Sequence, residues 1–245
     1  MDELAAATAS GDSINGLASH FMLDMGTYAY GNELGFSGLD FYVAGRGGVL
    51  GDAPGAVVAA AFVFWEPGLI ADAWERAGAV MPRAQAVTEF VGVATRWANA
   101  KLPDEFDSAR LAHLAGQLAD AASVAAVPLF AGWRALPEPS ADDPKALCIH
   151  RMNALRELRG GIHGAAIVSA GLSAHAAVAQ RTPFMLDLFG WKEPHPDQTD
   201  GREPWAEAQE ATERAMAPAY GALTDAERDE FVELANAAQA AVTGA

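Results

Sequence analysis

Apolar residues recur every three or four positions along most of the chain, which is the spacing of one face of an α-helix. Over residues 13–31 they form one stripe, made of Ile14, Leu17, Phe21 and Met25. Prolines and glycines stand where later helices should begin or end. We predict further helices over residues 54–65, 67–78, 82–100, 106–127, 144–158, 163–169, 174–180, 204–217 and 224–241, with Gly160 and Gly161 interrupting the helix that begins at residue 144.

One segment departs from the helical pattern. Residues 39–44 combine aromatic and β-branched side chains, and glycines follow at positions 45, 47, 48 and 51 before Pro54. This order predicts a short strand, a glycine-rich turn and a helix. The glycine spacing fits neither the dinucleotide-binding pattern nor the P-loop, since Leu50 stands three positions after Gly47. A structural turn is therefore favoured over a nucleotide site.

The segment from Leu136 to Pro144 is the clearest loop, because it contains three prolines, a serine and three acidic residues. We place a boundary near residue 140. The predicted fold is mainly α, with two helical halves over residues 1–140 and 141–245. The alternative is that the two halves form one intertwined domain. A few short strands are expected between the helices.

The second half contains a helix-turn-helix pattern. Gly171-Leu172-Ser173 separates two predicted helices, with Ser173 in position to cap the second one. Thr224 and Glu227 have the spacing of a capping box, just after a hairpin-like turn at residues 220–223. This order resembles the last part of a winged helix.

Charge then limits the partners. The chain has 16 basic and 32 acidic residues and a formal charge of −16, so its field repels polyphosphates and anionic membranes. Nucleic acid is disfavoured as a partner and no membrane partner is expected, whereas a homodimer stays open. Such composition is equally typical of an actinobacterial or salt-adapted proteome. The acidic start and the shortness of the longest apolar stretch, residues 55–65, predict a cytoplasmic protein.

Two groups of residues are candidates for a binding site. Arg156, Arg159 and His163 are spaced three, four and seven positions apart, so they share one face if the helix continues through the glycines. Two guanidiniums and an imidazole suit a carboxylate or propionate. The alternative is that these arginines pair with the surplus acids of a neighbouring helix.

His20 is the second candidate, because Phe21, Tyr28 and several methionines surround it in the sequence. Such a histidine suits an axial ligand of haem iron or a general base, with Asp24 one turn away as a partner for its other nitrogen. The alternative is a core histidine with a satisfied hydrogen bond.

Several segments resemble actinobacterial helix-turn-helix proteins of the SalK and EvbL type. The matching segments are residues 41–51 (FYVAGRGGVLG), 155–163 (LRELRGGIH), 170–173 (AGLS) and, more weakly, 221–226 (GALTDA). The resemblance covers most of the chain, points to His20 and the segment from Arg156 to His163, and contains Arg46 in its first segment. It implies no established reaction.

These observations predict a small-molecule binding protein with an apolar cavity and a His/Arg face for an anionic ligand, with haem as one candidate. The ligand-binding candidates are His20, Phe21, Asp24, Tyr28, Arg46, Arg156, Arg159 and His163. His20 or His163 would ligate haem iron. The alternatives are a degenerate, MarR-like winged-helix regulator that senses a ligand or contacts proteins, and an enzyme with a histidine general base or haem iron.

Overall fold

Helices account for the regular structure of the chain. A computed structural model describes residues 1–197 and 201–244. Its helices are α1 Glu3–Leu23, α2 Met25–Glu33, α3 Asp40–Gly47, α4 Gly55–Phe62, α5 Pro67–Val80, α6 Arg83–Lys101, α7 Ser108–Ala121, α8 Pro128–Arg134, α9 Pro144–Ser169, α10 Ala174–Arg181, α11 Arg202–Tyr220 and α12 Asp225–Thr243. No single helix in these ranges is both long and apolar enough to cross a bilayer.

Side-chain caps decide where several helices begin. The carboxylate of Asp24 accepts a hydrogen bond from the Gly26 amide (2.7 Å), which ends α1 and starts α2 where one continuous helix was predicted. Ser173 caps α10 as predicted, and Thr224 and Glu227 form the predicted capping box of α12. The predicted loop after Trp191 is irregular as far as residue 197, and residues 198–200 lie outside the described residues.

The predicted short strands are wrong, because the described residues contain no strand. Residues 40–44, predicted as a strand, form most of α3, and all residues of that helix are buried. A strand at this position would need a neighbouring strand to pair its backbone, whereas a helix satisfies these groups internally. The hairpin expected of a winged helix is also absent from the described residues.

The central element is α9, which runs from Pro144 to Ser169 without a break and packs against α1, α6, α7, α8 and α11. Gly160 and Gly161 therefore do not interrupt it. A Cβ atom at Gly161 would lie 2.8 Å from Val127 Cγ1, so this glycine allows a close approach of neighbouring chain. Gly160 differs, because a Cβ atom there would meet nothing within 4 Å.

The buried apolar residues divide into one large and two small clusters. The large cluster draws residues from both sides of position 140, from Ala6 to Ala238. The division into halves at that position stays a prediction. The two small clusters form around α10, and include Ile167, Ala177 and Leu186. The second helix of the helix-turn-helix therefore packs separately from the main core.

The helix-turn-helix arrangement is confirmed in the geometry of α9 and α10. The chain bends by 109° between these two helices. The turn contains Gly171 with φ of +74°, in the region that favours glycine. An angle of this size and a turn of this length are typical of the motif.

Candidate functional site

A cavity of about 500 Å³ lies between the main core and α10. Helices α1, α9 and α11, the segment after α4 and the segment after α10 supply its walls. Its aromatic wall residues are Tyr42, Phe62, Phe64, Trp65, Phe184, Phe189 and Trp205. Arg46, Arg156, Arg159 and His163 also line it, so four of the eight predicted ligand-binding residues meet in one place.

Two hydrogen bonds and a contact between aromatic rings hold the segment after α10 against the segment after α4. The Trp191 indole donates to the carbonyl of Phe64 (2.8 Å), and the Glu66 amide donates to the carbonyl of Phe189 (2.8 Å). The rings of Trp65 and Phe189 lie 4.4 Å apart. Together these contacts close one side of the cavity.

The backbone is strained at Val63, which also lines the cavity. Val63 has φ of +43° and ψ of −63°, and the Phe64 amide donates to the carbonyl of Phe62 (2.6 Å) across it. This γ-turn conformation is rare, and it is costly for a β-branched residue. Strain of this kind persists where the surrounding structure needs a particular side-chain placement. Here it turns Phe62, Phe64 and Trp65 toward the cavity.

Arg46, which lines the cavity, forms a bidentate ion pair with the buried Glu157. Nε and Nη2 of Arg46 donate to the two carboxylate oxygens of Glu157 at 2.8 and 2.9 Å, while Nη1 donates to the Tyr42 hydroxyl. The Arg46 guanidinium also lies 4.4 Å from the centre of the Phe62 ring. Burial alone would raise the pKa of Glu157, but Arg46 and Arg156 outweigh it and lower that pKa. Glu157 is therefore ionised at neutral pH.

Arg156 and Arg159 line the cavity while each is bonded to an acid, and only Arg159 pairs with an acid of a neighbouring helix, as the alternative interpretation expected. Arg156 donates to Glu157 (2.8 Å) and to the Ser19 hydroxyl (3.0 Å). Arg159 donates to Glu213 (2.7 Å), and its buried Nε has no partner. Arg159 also lines a second cavity, which has a volume of about 500 Å³. Each guanidinium has five N–H groups, so these bonds leave donors for a ligand.

His163 has a fixed tautomer. Its Nδ1 lies 2.8 Å from the Thr212 hydroxyl, which donates its single proton to the Ala208 carbonyl (2.7 Å). Thr212 must then accept from His163, so we assign the proton to Nδ1. Nε2 carries the lone pair and has no hydrogen-bond partner within residues 1–197 and 201–244. The ring is only 6% exposed and lies between Phe64 and Trp205.

Burial, with a smaller contribution from Arg159, lowers the pKa of His163 to about 4. The imidazole is therefore neutral at physiological pH. A neutral ring that donates from one nitrogen to a fixed acceptor presents the other nitrogen as a hydrogen-bond acceptor or a ligand. It is a weak general base, because efficient bases have a pKa near the working pH.

Acidification is expected to destabilise the protein through His163. The unfolded chain protonates its histidines below about pH 6.5, whereas folded His163 stays neutral down to about pH 4. The contribution of His163 to the stability of the fold is thus fully present above pH 6.5 and is lost as the pH drops from 6.5 toward 4. Urea-induced unfolding gives the free energy of unfolding at pH 7 and at pH 4.5. The decrease between these two pH values should be about 2–3 kcal/mol smaller in His163→Phe than in the wild type.

Two features make this comparison specific to His163. Burial also lowers the pKa of His150, but that group is present in both proteins, so its contribution cancels. The exposed His113 provides a matched control, and His113→Phe should keep the full acid sensitivity. An equal acid loss in wild type and His163→Phe would contradict the assignment.

The other predicted residues lie away from the cavity lining. Nε2 of His20 is 3.1 Å from the side-chain amide of Gln239 in α12, as expected of a satisfied structural histidine. Phe21 is buried against Phe90, with ring centres 5.3 Å apart. Asp24 is a helix cap. Tyr28 interacts with Tyr42 of the cavity wall, and burial together with Tyr42 raises the pKa of Tyr28 to about 12.

Sequence reasoning missed several residues of the site. Trp205 and Thr212 lie in α11, more than forty positions after His163, and nothing in their spacing connects them to it. Tyr42 lies in the segment predicted as a strand. Arg181, at the end of α10, is exposed at the cavity and forms no ion pair with any described residue. Its position on the second helix of the motif was the available signal.

A model of a helix-turn-helix family matches residues 7–199, more than half of the chain. The match includes Arg46, the segment from Arg156 to His163 and the turn between α9 and α10. No curated protein and no solved structure matches the chain. The helix-turn-helix part of the resemblance is thus confirmed, and the narrower SalK and EvbL grouping and the actinobacterial origin stay predictions.

Proposed function

The chain belongs to the helix-turn-helix family, and we propose that it binds a small anionic molecule with an aromatic or other apolar body. The observation that carries the proposal is the shared cavity: Arg156, Arg159 and His163 face the same space as seven aromatic side chains. A volume of about 500 Å³ is within the usual range for small-molecule sites. Such a ligand would place its anionic group at the arginines and its body among the rings.

The electrostatics of the cavity support an anion. Four arginines line it, namely Arg46, Arg156, Arg159 and Arg181. Within the described residues, three carboxylates line it or pair with these arginines: Asp12, Glu157 and Glu213. The site is therefore net positive in a chain whose formal charge is −16. Charge-assisted hydrogen bonds in a partly desolvated cavity are stronger than those at an open surface.

A fluorescent anion tests this proposal. Anilinonaphthalene sulfonate has an aromatic body and one negative charge, and its binding can be titrated by fluorescence. We expect Arg156→Gln to weaken its binding by about tenfold or more, since a hydrogen bond to a charged group contributes about 1.5–3 kcal/mol. The control is Arg110→Gln, which removes an arginine that pairs with Glu227 and Glu230 and lines neither cavity. Equal affinity in wild type and Arg156→Gln would refute an anion site at these arginines.

Haem remains a candidate ligand, and the contacts of the two histidines favour His163 over His20 as its axial residue. Nε2 of His163 has no hydrogen-bond partner in the part of the chain that the structure describes, and Thr212 holds the Nδ1 proton, as is usual for ligating histidines. His20 Nε2 already contacts Gln239. Binding should shift and sharpen the Soret band of added haemin, and this change should be lost in His163→Ala and kept in His20→Ala. A Soret band identical to that of free haemin in all three proteins would exclude haem and leave other anions.

The rival function is a regulator of the winged-helix type that acts through ligand sensing or protein contacts. Family membership and the 109° bend favour it. They also favour nucleic acid as a partner, whereas the net charge led us to expect the opposite. Helix-turn-helix proteins read DNA with exposed side chains on the second helix. On α10 only Arg181, at the C-terminal end, is exposed, and the other residues are buried or half-buried. We therefore propose that α10 acts as a cavity wall.

Retardation of duplex DNA in gels distinguishes these functions. A regulator that binds DNA would retard a duplex in a salt-sensitive manner, and Arg181→Gln would weaken that binding. The cavity-wall proposal expects no retardation at physiological salt. Salt-sensitive binding with an intact anilinonaphthalene sulfonate site would favour a ligand-sensing regulator.

A further inference from the structure

We infer that the ligand carries a hydroxyl donor in addition to its anionic group, and that the ligand class is therefore an aromatic hydroxy acid. This inference rests on the proposed function and deepens it. The observation that carries it is the acceptor at His163, whose Nδ1 proton is committed to Thr212. Nε2 can then only accept from a ligand, because the low pKa keeps this nitrogen unprotonated at neutral pH.

Within residues 1–197 and 201–244, no side chain or backbone group donates a hydrogen bond to Nε2 of His163. Phe64 lies 5.8 Å and Trp205 5.0 Å from its ring centre, and both contacts are between rings. The ring is 6% exposed, so bulk water solvates it poorly. A hydrogen bond in such a poorly solvated place is stronger than one in water, so a ligand that brings a donor to Nε2 gains affinity. Sites with such a polar group discriminate strongly against analogues that lack the matching hydroxyl.

The spacing along α9 sets the distance between the two ligand groups. Arg159 and His163 are one turn apart, and Arg156 and His163 are seven residues apart on the same face. At a rise of about 1.5 Å per residue, these spacings correspond to roughly 6 and 10 Å along the helix. A carboxylate and a hydroxyl at opposite ends of a planar two-ring body match this range. The aromatic walls suit such a body.

Three related naphthoates test the inference by calorimetric titration. In 6-hydroxy-2-naphthoate the hydroxyl donates, in 6-methoxy-2-naphthoate the oxygen only accepts, and 2-naphthoate has neither group. We expect the wild type to bind the hydroxy compound about tenfold more tightly than the other two. His163→Phe should bind all three with similar affinity. His20→Phe, which alters a histidine outside the cavity lining, should keep the preference.

Each result separates this inference from the proposed function. Equal binding of all three compounds to the wild type overturns the hydroxyl inference and leaves the anion site in place. A preference for the hydroxy compound that persists in His163→Phe overturns the inference as well, because its hydroxyl would then donate to a group other than His163. No binding of any naphthoate or of anilinonaphthalene sulfonate refutes the proposed function itself.

A second variant keeps the test decisive where His163→Phe does not fold. Thr212→Val removes the acceptor of the Nδ1 proton, so that the proton is free to move to Nε2. We expect this variant to lose most of its preference for the hydroxy compound while still binding 2-naphthoate. An unchanged preference in Thr212→Val would contradict the assigned tautomer and the inference together.

Discussion

Replacing Glu157 by alanine is expected to lower the free energy of unfolding by about 3–5 kcal/mol, the range for breaking a buried ion pair on one side. Glu157 is 1% exposed and accepts three hydrogen bonds from Arg46 and Arg156. Without it, the buried guanidinium of Arg46 would lose its counter-charge and two of its acceptors. Urea-induced unfolding at pH 7 measures the change.

Two further variants separate charge from shape at this position. Glu157→Gln keeps the size and one carbonyl acceptor but removes the charge. Its free energy of unfolding should therefore lie between those of the wild type and Glu157→Ala. Glu138→Ala removes the more exposed pair with Arg151 and should cost about 1 kcal/mol or less. A loss in Glu157→Ala as small as that in Glu138→Ala would show that the buried pair does not stabilise the fold.

The direction of the Glu157 pKa shift adds a pH signature. Because the folded pKa is lowered, the stabilisation from this carboxylate is complete above its unfolded value of about 4.3. It is lost as the pH falls further, through the folded pKa. The contribution of His163 is lost at higher pH, between about 6.5 and 4. The two groups therefore act in successive pH windows.

Placing leucine at Gly160 is expected to abolish ligand binding while the protein stays folded. A Cβ atom at Gly160 meets no atom within 4 Å, and this residue lines the cavity. Helical side chains lean toward the N-terminus of their helix, so the leucine would extend toward Arg156. We expect binding of anilinonaphthalene sulfonate to weaken by about a hundredfold or more, equivalent to about 3 kcal/mol. Fluorescence titration provides the measurement.

The stability of this variant distinguishes filling of the cavity from unfolding. Leucine favours a helix over glycine by nearly 1 kcal/mol, so Gly160→Leu should unfold at the same or a higher urea concentration than wild type. Gly92→Leu in α6 is the matched control, because it makes the same exchange in a helix outside the cavity and meets only the flexible end of Arg96. It should leave binding unchanged. Full binding by Gly160→Leu would place the dye outside this cavity.

Local rules in the sequence were sufficient for much of the helical architecture. Ser173, Thr224 and Glu227 cap helices where their spacing predicts, because a cap depends on groups within three residues. The helical face shared by Arg156, Arg159 and His163 was predictable for the same reason, once α9 continued through its glycines. Residues 39–44 were mispredicted, since burial on all sides of α3 overrides the weak strand preference of aromatic and β-branched side chains.

The tertiary structure decided what these residues contact. His20 and His163 both stood out in the sequence, but only packing places His163 in the cavity and His20 against Gln239 in α12. The tautomer of His163 depends on Thr212, and the charge of Arg46 is balanced by Glu157, a residue 111 positions away. By itself the sequence determined helices, caps and one polar face, because these follow from neighbours along the chain. The cavity, its aromatic walls and the orientation of the His163 acceptor arise from long-range packing, which no local spacing encodes.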